Sequence, residues 1–196
     1  ISSFSHFLSR VSVLSGKTEV GSDAVYKWIT FDNIESSGNG GCILCDVNIK
    51  LEIDHCMFQD IKCEGEGGAL YIRKASILIK HSCFELCRTV YKNVNQVGGN
   101  AMCIGESTVM LDNLNIFQCW IDSQCGDSIC LIHDGDIKVK HKNSSQCDDN
   151  RWGEDICYEY GTKTCLDSFV NTFNCSLNWV QSTTYGVGIR ISSYMN

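Results

Sequence analysis

Blocks of similar residues return along most of this chain at intervals of roughly thirty positions, and that repetition limits the fold more than any other feature. Glycines at Gly40-Gly41, Gly67-Gly68 and Gly98-Gly99, continued by Gly126, are spaced by 27, 31 and 27 residues. Each anchor precedes a short apolar stretch: Cys42-Ile43-Leu44-Cys45, Ala69-Leu70-Tyr71-Ile72, Ala101-Met102-Cys103-Ile104 and Ile129-Cys130-Leu131-Ile132. A second stretch then alternates apolar and polar residues, as in Ile49, Leu51 and Ile53, then Ile77 and Ile79, Val109 and Leu111, and Ile137 and Val139. Alternation of this kind marks half-buried strand. Phe31, Phe58, Phe84 and Phe117 form a third register, in phase with the other two.

No unit carries the apolar spacing of an amphipathic helix, so the units read as strand and turn. Short one-sided strands repeated at this period bury their apolar face only by stacking on the next copy. Equivalent strands would then pair in parallel about 4.8 Å apart, with like residues in ladders. The glycines are expected at turns that need positive φ or close backbone approach. The expected fold is all-β, a parallel β-helix (solenoid) with irregular coils and a Cys-rich insertion.

The run Gly67-Gly68-Ala69-x-x-Ile72, followed by Ile77-x-Ile79 and Cys83-Phe84, resembles the right-handed parallel β-helix repeats of polymorphic outer-membrane and autotransporter passengers. It is most similar to the cysteine-containing, Pro-poor surface β-helix proteins of trichomonads. The resemblance covers about residues 25 to 140, and it is the source of the handedness and of the surface role. Where the bacterial repeats read Phe-x-x-Asn, this chain has Ile34, Ile61, Cys87 and Trp120 at the fourth position.

The 196 residues fit one domain. Residues 1 to 24 read as an N-terminal cap or partial coil, 25 to 142 as regular coils, 143 to 184 as a Cys-rich excursion and 185 to 196 as a returning strand. The start at Ile1 and the uncapped end at Asn196 suggest a mature product or a fragment of a longer solenoid.

Fourteen Cys point to an extracellular or cell-surface setting. Cys147, Cys157, Cys165 and Cys175 lie in the segment with the weakest apolar pattern and are expected in disulfides, with three pairings open. Cys45, Cys103 and Cys130 share a repeat stretch and are expected as buried, reduced thiols. Asn143 and Asn174 head N-glycosylation sequons.

Other chemistries find weaker footing. A net charge of -7 and pI near 5.1 argue against a nucleic-acid partner bound through a basic face. No apolar run reaches the ~18 to 20 residues of a membrane span. Cys42-x-x-Cys45 has no second Cys pair, and residues three apart on a strand face opposite ways. His55 and His81 are equivalent positions near enough to share a metal, with Leu114 expected at the next copy. The simpler expectation, two turn-edge imidazoles bound to water or backbone, leaves no metal or cofactor assigned. Asp134-Gly135-Asp136 reads as a turn.

An enzyme reading comes from fold analogy with polysaccharide lyases and glycoside hydrolases of pectate-lyase-like fold, and glycoside hydrolysis needs two carboxyls about 5 to 9.5 Å apart. Asp148-Asp149 and Arg190 are its only hints, and Asp54 aligning with Lys80 and then Asn113 gives no acidic ladder. The expectation is therefore a noncatalytic surface module, with no catalytic residue assigned, for adhesion or protein assembly. Its partners would be protein subunits or surface glycans. A structural subunit of an extracellular or flagellar filament or sheath, self-associating through open solenoid ends, is the nearest alternative.

Overall fold

The computed structural model describes residues 12–90 and 99–119 in full, and beyond them the backbone of the later strands named here. In chain order the strands are β1 (Ser12–Leu14), β2 (Thr18–Glu19), β3 (Ala24–Lys27), β4 (Ile29–Ser36), β5 (Ile43–Asp46) and β6 (Lys50–Asp54). Then come β7 (Met57–Cys63), β8 (Leu70–Arg73), β9 (Ser76–Lys80), β10 (Cys83–Glu85), β11 (Arg88–Thr89) and β12 (Met102–Gly105). The last are β13 (Thr108–Phe117), β14 (Ile129–Ile132), β15 (Ile137–Ser145), β16 (Ile156–Glu159), β17 (Ser176–Asn178) and β18 (Ile189–Ser192). Among the described residues there is no helix, and every strand pairing is parallel.

One sheet runs β18-β16-β14-β12-β8-β5-β2. In it Ile43 faces Leu70, which faces Met102, then Ile129, Ile156 and Ile189. The other sheet joins two ladders, β3-β6-β9 and β1-β4-β7-β10, through the long strand β13, and β15 and β17 continue it. Strands thus recur inside residues 143 to 184, where the sequence pattern shows only cysteine spacing. β1 and β2 likewise pair with β4 and β5 before residue 24.

Inward positions line up as ladders of like residues. Phe31, Phe58 and Phe84 are fully buried and stack with centroids 4.9 and 4.5 Å apart, their planes within 5°. Leu51, Ile77 and Val109 form one aliphatic file and Ile53, Ile79 and Leu111 another. Burying one such side chain contributes about 1.5–3 kcal/mol. Buried polar groups are matched across copies: the Cys56 amide donates to Ser82 Oγ at 3.2 Å, and Thr89 Oγ1 donates to Asn100 Oδ1 at 3.1 Å. Unmatched, each would cost roughly 1–3 kcal/mol.

Three register expectations change. Ile116, not Phe117, stands opposite Phe84 and is buried, because the third step is one residue shorter than the Phe spacing. By the same shift Asn113 rather than Leu114 follows His81, and Lys80 faces Asp112. Cys103 pairs with Cys130, which pairs in turn with Cys157, while Cys45 faces Ile72 on the alternate face.

The glycines stand at the tight turns expected of them, Gly41 and Gly68 where backbones approach too closely for a Cβ. Gly40 and Gly67 do have positive φ, 65° and 69°. Most left-handed corners, however, are not glycine: Trp28, His55, His81 and Asn113 form one file, and Asn33, Asp60, Leu86 and Gln118 another, all with φ from 48° to 59°. At these corners the amide turns sideways onto the next copy, as His55 N–H does to Lys80 O at 3.2 Å and His81 N–H to Asp112 O at 3.0 Å. That inter-copy hydrogen bond offsets the cost of roughly 1–2 kcal/mol for a side chain in this conformation.

Candidate functional site

The best-defined polar constellation grows from the first corner file and the strands that enter it. Alternate residues of β3, β6, β9 and β13 point outward, so register alone sets Lys27, Asp54, Lys80 and Asp112 side by side. The signs alternate. Glu52, two residues before Asp54, shares this face, with Lys27 Nζ at 3.0 Å and Lys80 Nζ at 3.3 Å from its Oε1. Lys80 Nζ is also 3.5 Å from Asp54 Oδ2.

Beyond Asp54 the chain turns through His55. Its ring lies under Trp28, centroids 4.0 Å apart and planes at 26°, and over His81 at 4.6 Å. Both imidazoles direct Nδ1 at one atom, Asp54 Oδ1, at 2.7 Å from His55 and 3.0 Å from His81. The donor atoms of Asp54, His55 and His81 all lie within 4.8 Å of one another. The Asp54 side chain is 14% exposed, against 38% and 40% for the two imidazoles. The carboxylate is thus sheltered and the rings are open.

Electrostatics match this geometry. Burial pushes the Asp54 carboxyl up, but hydrogen bonds from His81 and His55 outweigh it and hold the group below its ordinary range. Hydrogen bonds from Lys27 and then Lys80 lower Glu52 as well. Both carboxylates are therefore ionised acceptors near neutral pH. An open depression of about 740 Å³ lies beside Glu52, bordered also by Val25, Lys50, Leu78 and Met110.

The structure brings His55 and His81 together as their equivalent positions predict. Sequence reasoning missed that Asp54 and Trp28 complete the group. The signal was present in the aligned dipeptides Lys27-Trp28, Asp54-His55 and Lys80-His81, which place a charge before each corner. The eight cysteines of the fully described segments are unpaired thiols, and seven of them, Cys42 and Cys45 included, are buried. Of the residues expected in disulfides, Cys157 lies on β16 opposite Cys130 and Arg190, whereas Cys147, Cys165 and Cys175 lie outside the described residues. Asn143 lies on β15 opposite Asn115, and Asn174, Asp134, Asp136, Asp148 and Asp149 also lie outside them.

No family model, no curated protein and no solved structure matches this chain.

Proposed function

We propose that these parallel sheets belong to a right-handed parallel β-helix, and that the chain is a noncatalytic module of the extracellular space or cell surface. Its role is to present a stiff lateral face for adhesion or protein assembly. The observation that carries this reading is the unbroken register file Ile43, Leu70, Met102, Ile129, Ile156 and Ile189, in which each copy pairs in parallel with the one before it. Parallel crossovers are right-handed in about 98% of cases, which favours that hand.

The charged face supports binding over catalysis. A glycosidase acid must hold its proton near neutral pH, which needs a raised pKa. Glu52 and Asp54 are lowered instead, by lysines and imidazoles that pair with them.

Beads coated with the folded chain should adhere to cells or to one another, and beads coated with heat-unfolded chain should not. Equal adhesion by both would overturn the surface role. Uronic-acid polysaccharides should yield no product; turnover that disappears in Glu52→Gln would overturn the noncatalytic reading. In chain isolated from its native source, glycan on Asn143 or Asn174 supports the extracellular placement, and bare asparagines with every thiol reduced would overturn it.

A further inference from the structure

We propose that Asp54, His55 and His81 form a binding site for one divalent transition-metal ion of the zinc class. The two rings approach Asp54 Oδ1 from adjacent copies, with Nδ1 at 2.7 and 3.0 Å. Neighbouring ligand atoms around a tetrahedral ion with bonds of about 2.0–2.2 Å are about 3.3–3.6 Å apart, so the exposed rings must rotate outward by about half an ångström to admit it. Two imidazole nitrogens and one carboxylate oxygen are a donor set that suits zinc, cobalt, nickel or copper, whereas calcium and magnesium take mostly oxygen.

The surroundings hold the ligands in place. Trp28 stacks on His55, the His55 ring lies tilted against His81, and the corner amides of both histidines are tied to Lys80 O and Asp112 O. Lys80 reaches the carboxylate at Oδ2, 3.5 Å away, and Glu52 gives its ammonium a second partner. Solvent-facing rings leave the remaining coordination positions to water.

Coordination needs a lone pair on each Nδ1. A neutral ring supplies it by carrying its proton on Nε2 instead, and an imidazolium supplies it by releasing one proton to water. No redox step or co-reactant is involved. The ion would clamp two successive copies at their corner, independently of whether the lateral face adheres to anything.

The test is a Co2+ titration of the full chain, followed by calorimetry and by absorption. One ion per chain is expected at this site, with ligand-field bands but without a thiolate charge-transfer band, and Zn2+ should displace it. His55→Asn and His81→Asn are each expected to weaken binding by about tenfold or more, the least that outer ligand partners cost. Both variants should fold, because Asn113 already occupies the same left-handed corner in the next copy. Absence of binding, unchanged affinity in both variants, or binding carried wholly by thiolate would overturn the proposal. Should a variant unfold, ring-proton resonances of the unmodified chain decide: Zn2+ must shift both His55 and His81, and unmoved rings overturn the site.

Discussion

At the scale of single residues, stability concentrates where one side chain or one missing Cβ touches two neighbouring copies. Phe58 lies between Phe31 and Phe84 and is fully buried. Phe58→Ala removes both stacking contacts and leaves a cavity that the rigid files on either side cannot fill. A loss of about 3–5 kcal/mol in urea-monitored unfolding is expected. A loss below about 1 kcal/mol would mean that the phenylalanines are not stacked as described. Gly68 acts in the opposite sense: a Cβ there would stand 1.8 Å from the Asn100 carbonyl oxygen and 2.8 Å from the Arg88 amide nitrogen. Both obstacles are backbone, so the strands must part. Gly68→Ala should cost more than the about 1–3 kcal/mol of ordinary overpacking. Gly16→Ala, with nothing within 4 Å of its Cβ, should leave the unfolding midpoint nearly unchanged.

At the scale of elements, the left-handed corners decide where each strand ends and the next begins. Asn, Asp and His enter this region more readily than other side chains, and they fill five of the eight positions in the two corner files. Leu86, at φ 55°, has no such excuse, and its amide is held by Phe117 O at 3.1 Å. Leu86→Asn should therefore stabilise the chain by up to about 1 kcal/mol, and Leu86→Ile, branched at Cβ, should destabilise it. Thermal unfolding of the pair checks the order; an Ile variant as stable as the Asn variant would exclude strain at this corner. These corners also explain what was legible. Period-two strands such as Leu51-Glu52-Ile53 show their faces directly in sequence, and so do the in-phase Phe31, Phe58 and Phe84. The corner residues carry no common sequence mark, since Trp28, Lys74 and Leu86 reach positive φ through a hydrogen bond to the next copy rather than through their own chemistry. Longer steps hide register as well: the 32 residues between Phe84 and Ile116 make Phe117 look equivalent when it is one position out. Asp54 is legible as the residue that aligns with Lys80, but its contact with His81 depends on how the side chains turn at the corner, which the pattern of residues does not reveal.

At the scale of the whole molecule, the buried cysteines make the stack sensitive to alkali and resistant to oxidation. Thiolate, not thiol, is the reactive form, so a thiol held neutral by burial stays reduced even where oxidant is present. Burial pushes Cys63 and Cys83 up to about 11 and raises Cys42 and Cys119 well above their ordinary value. This places unpaired thiols and a proposed extracellular setting in one consistent picture. In the unfolded chain the same thiols ionise near their ordinary value of about 8.5. Above that pH the unfolded chain has lost protons that the native chain keeps, so unfolding releases protons and stability falls as pH rises towards the folded value. Below about pH 8 the contribution is fully present. Urea midpoints measured with reductant should therefore fall measurably between about pH 8.5 and 9.5, before most tyrosines and lysines titrate. Cys63→Ala, which removes one such group, should flatten that slope while lowering stability at pH 7. A midpoint constant across this range would show that the thiols are as open to water in the native chain as in the unfolded one. It would remove the packed interior on which the stacked architecture depends.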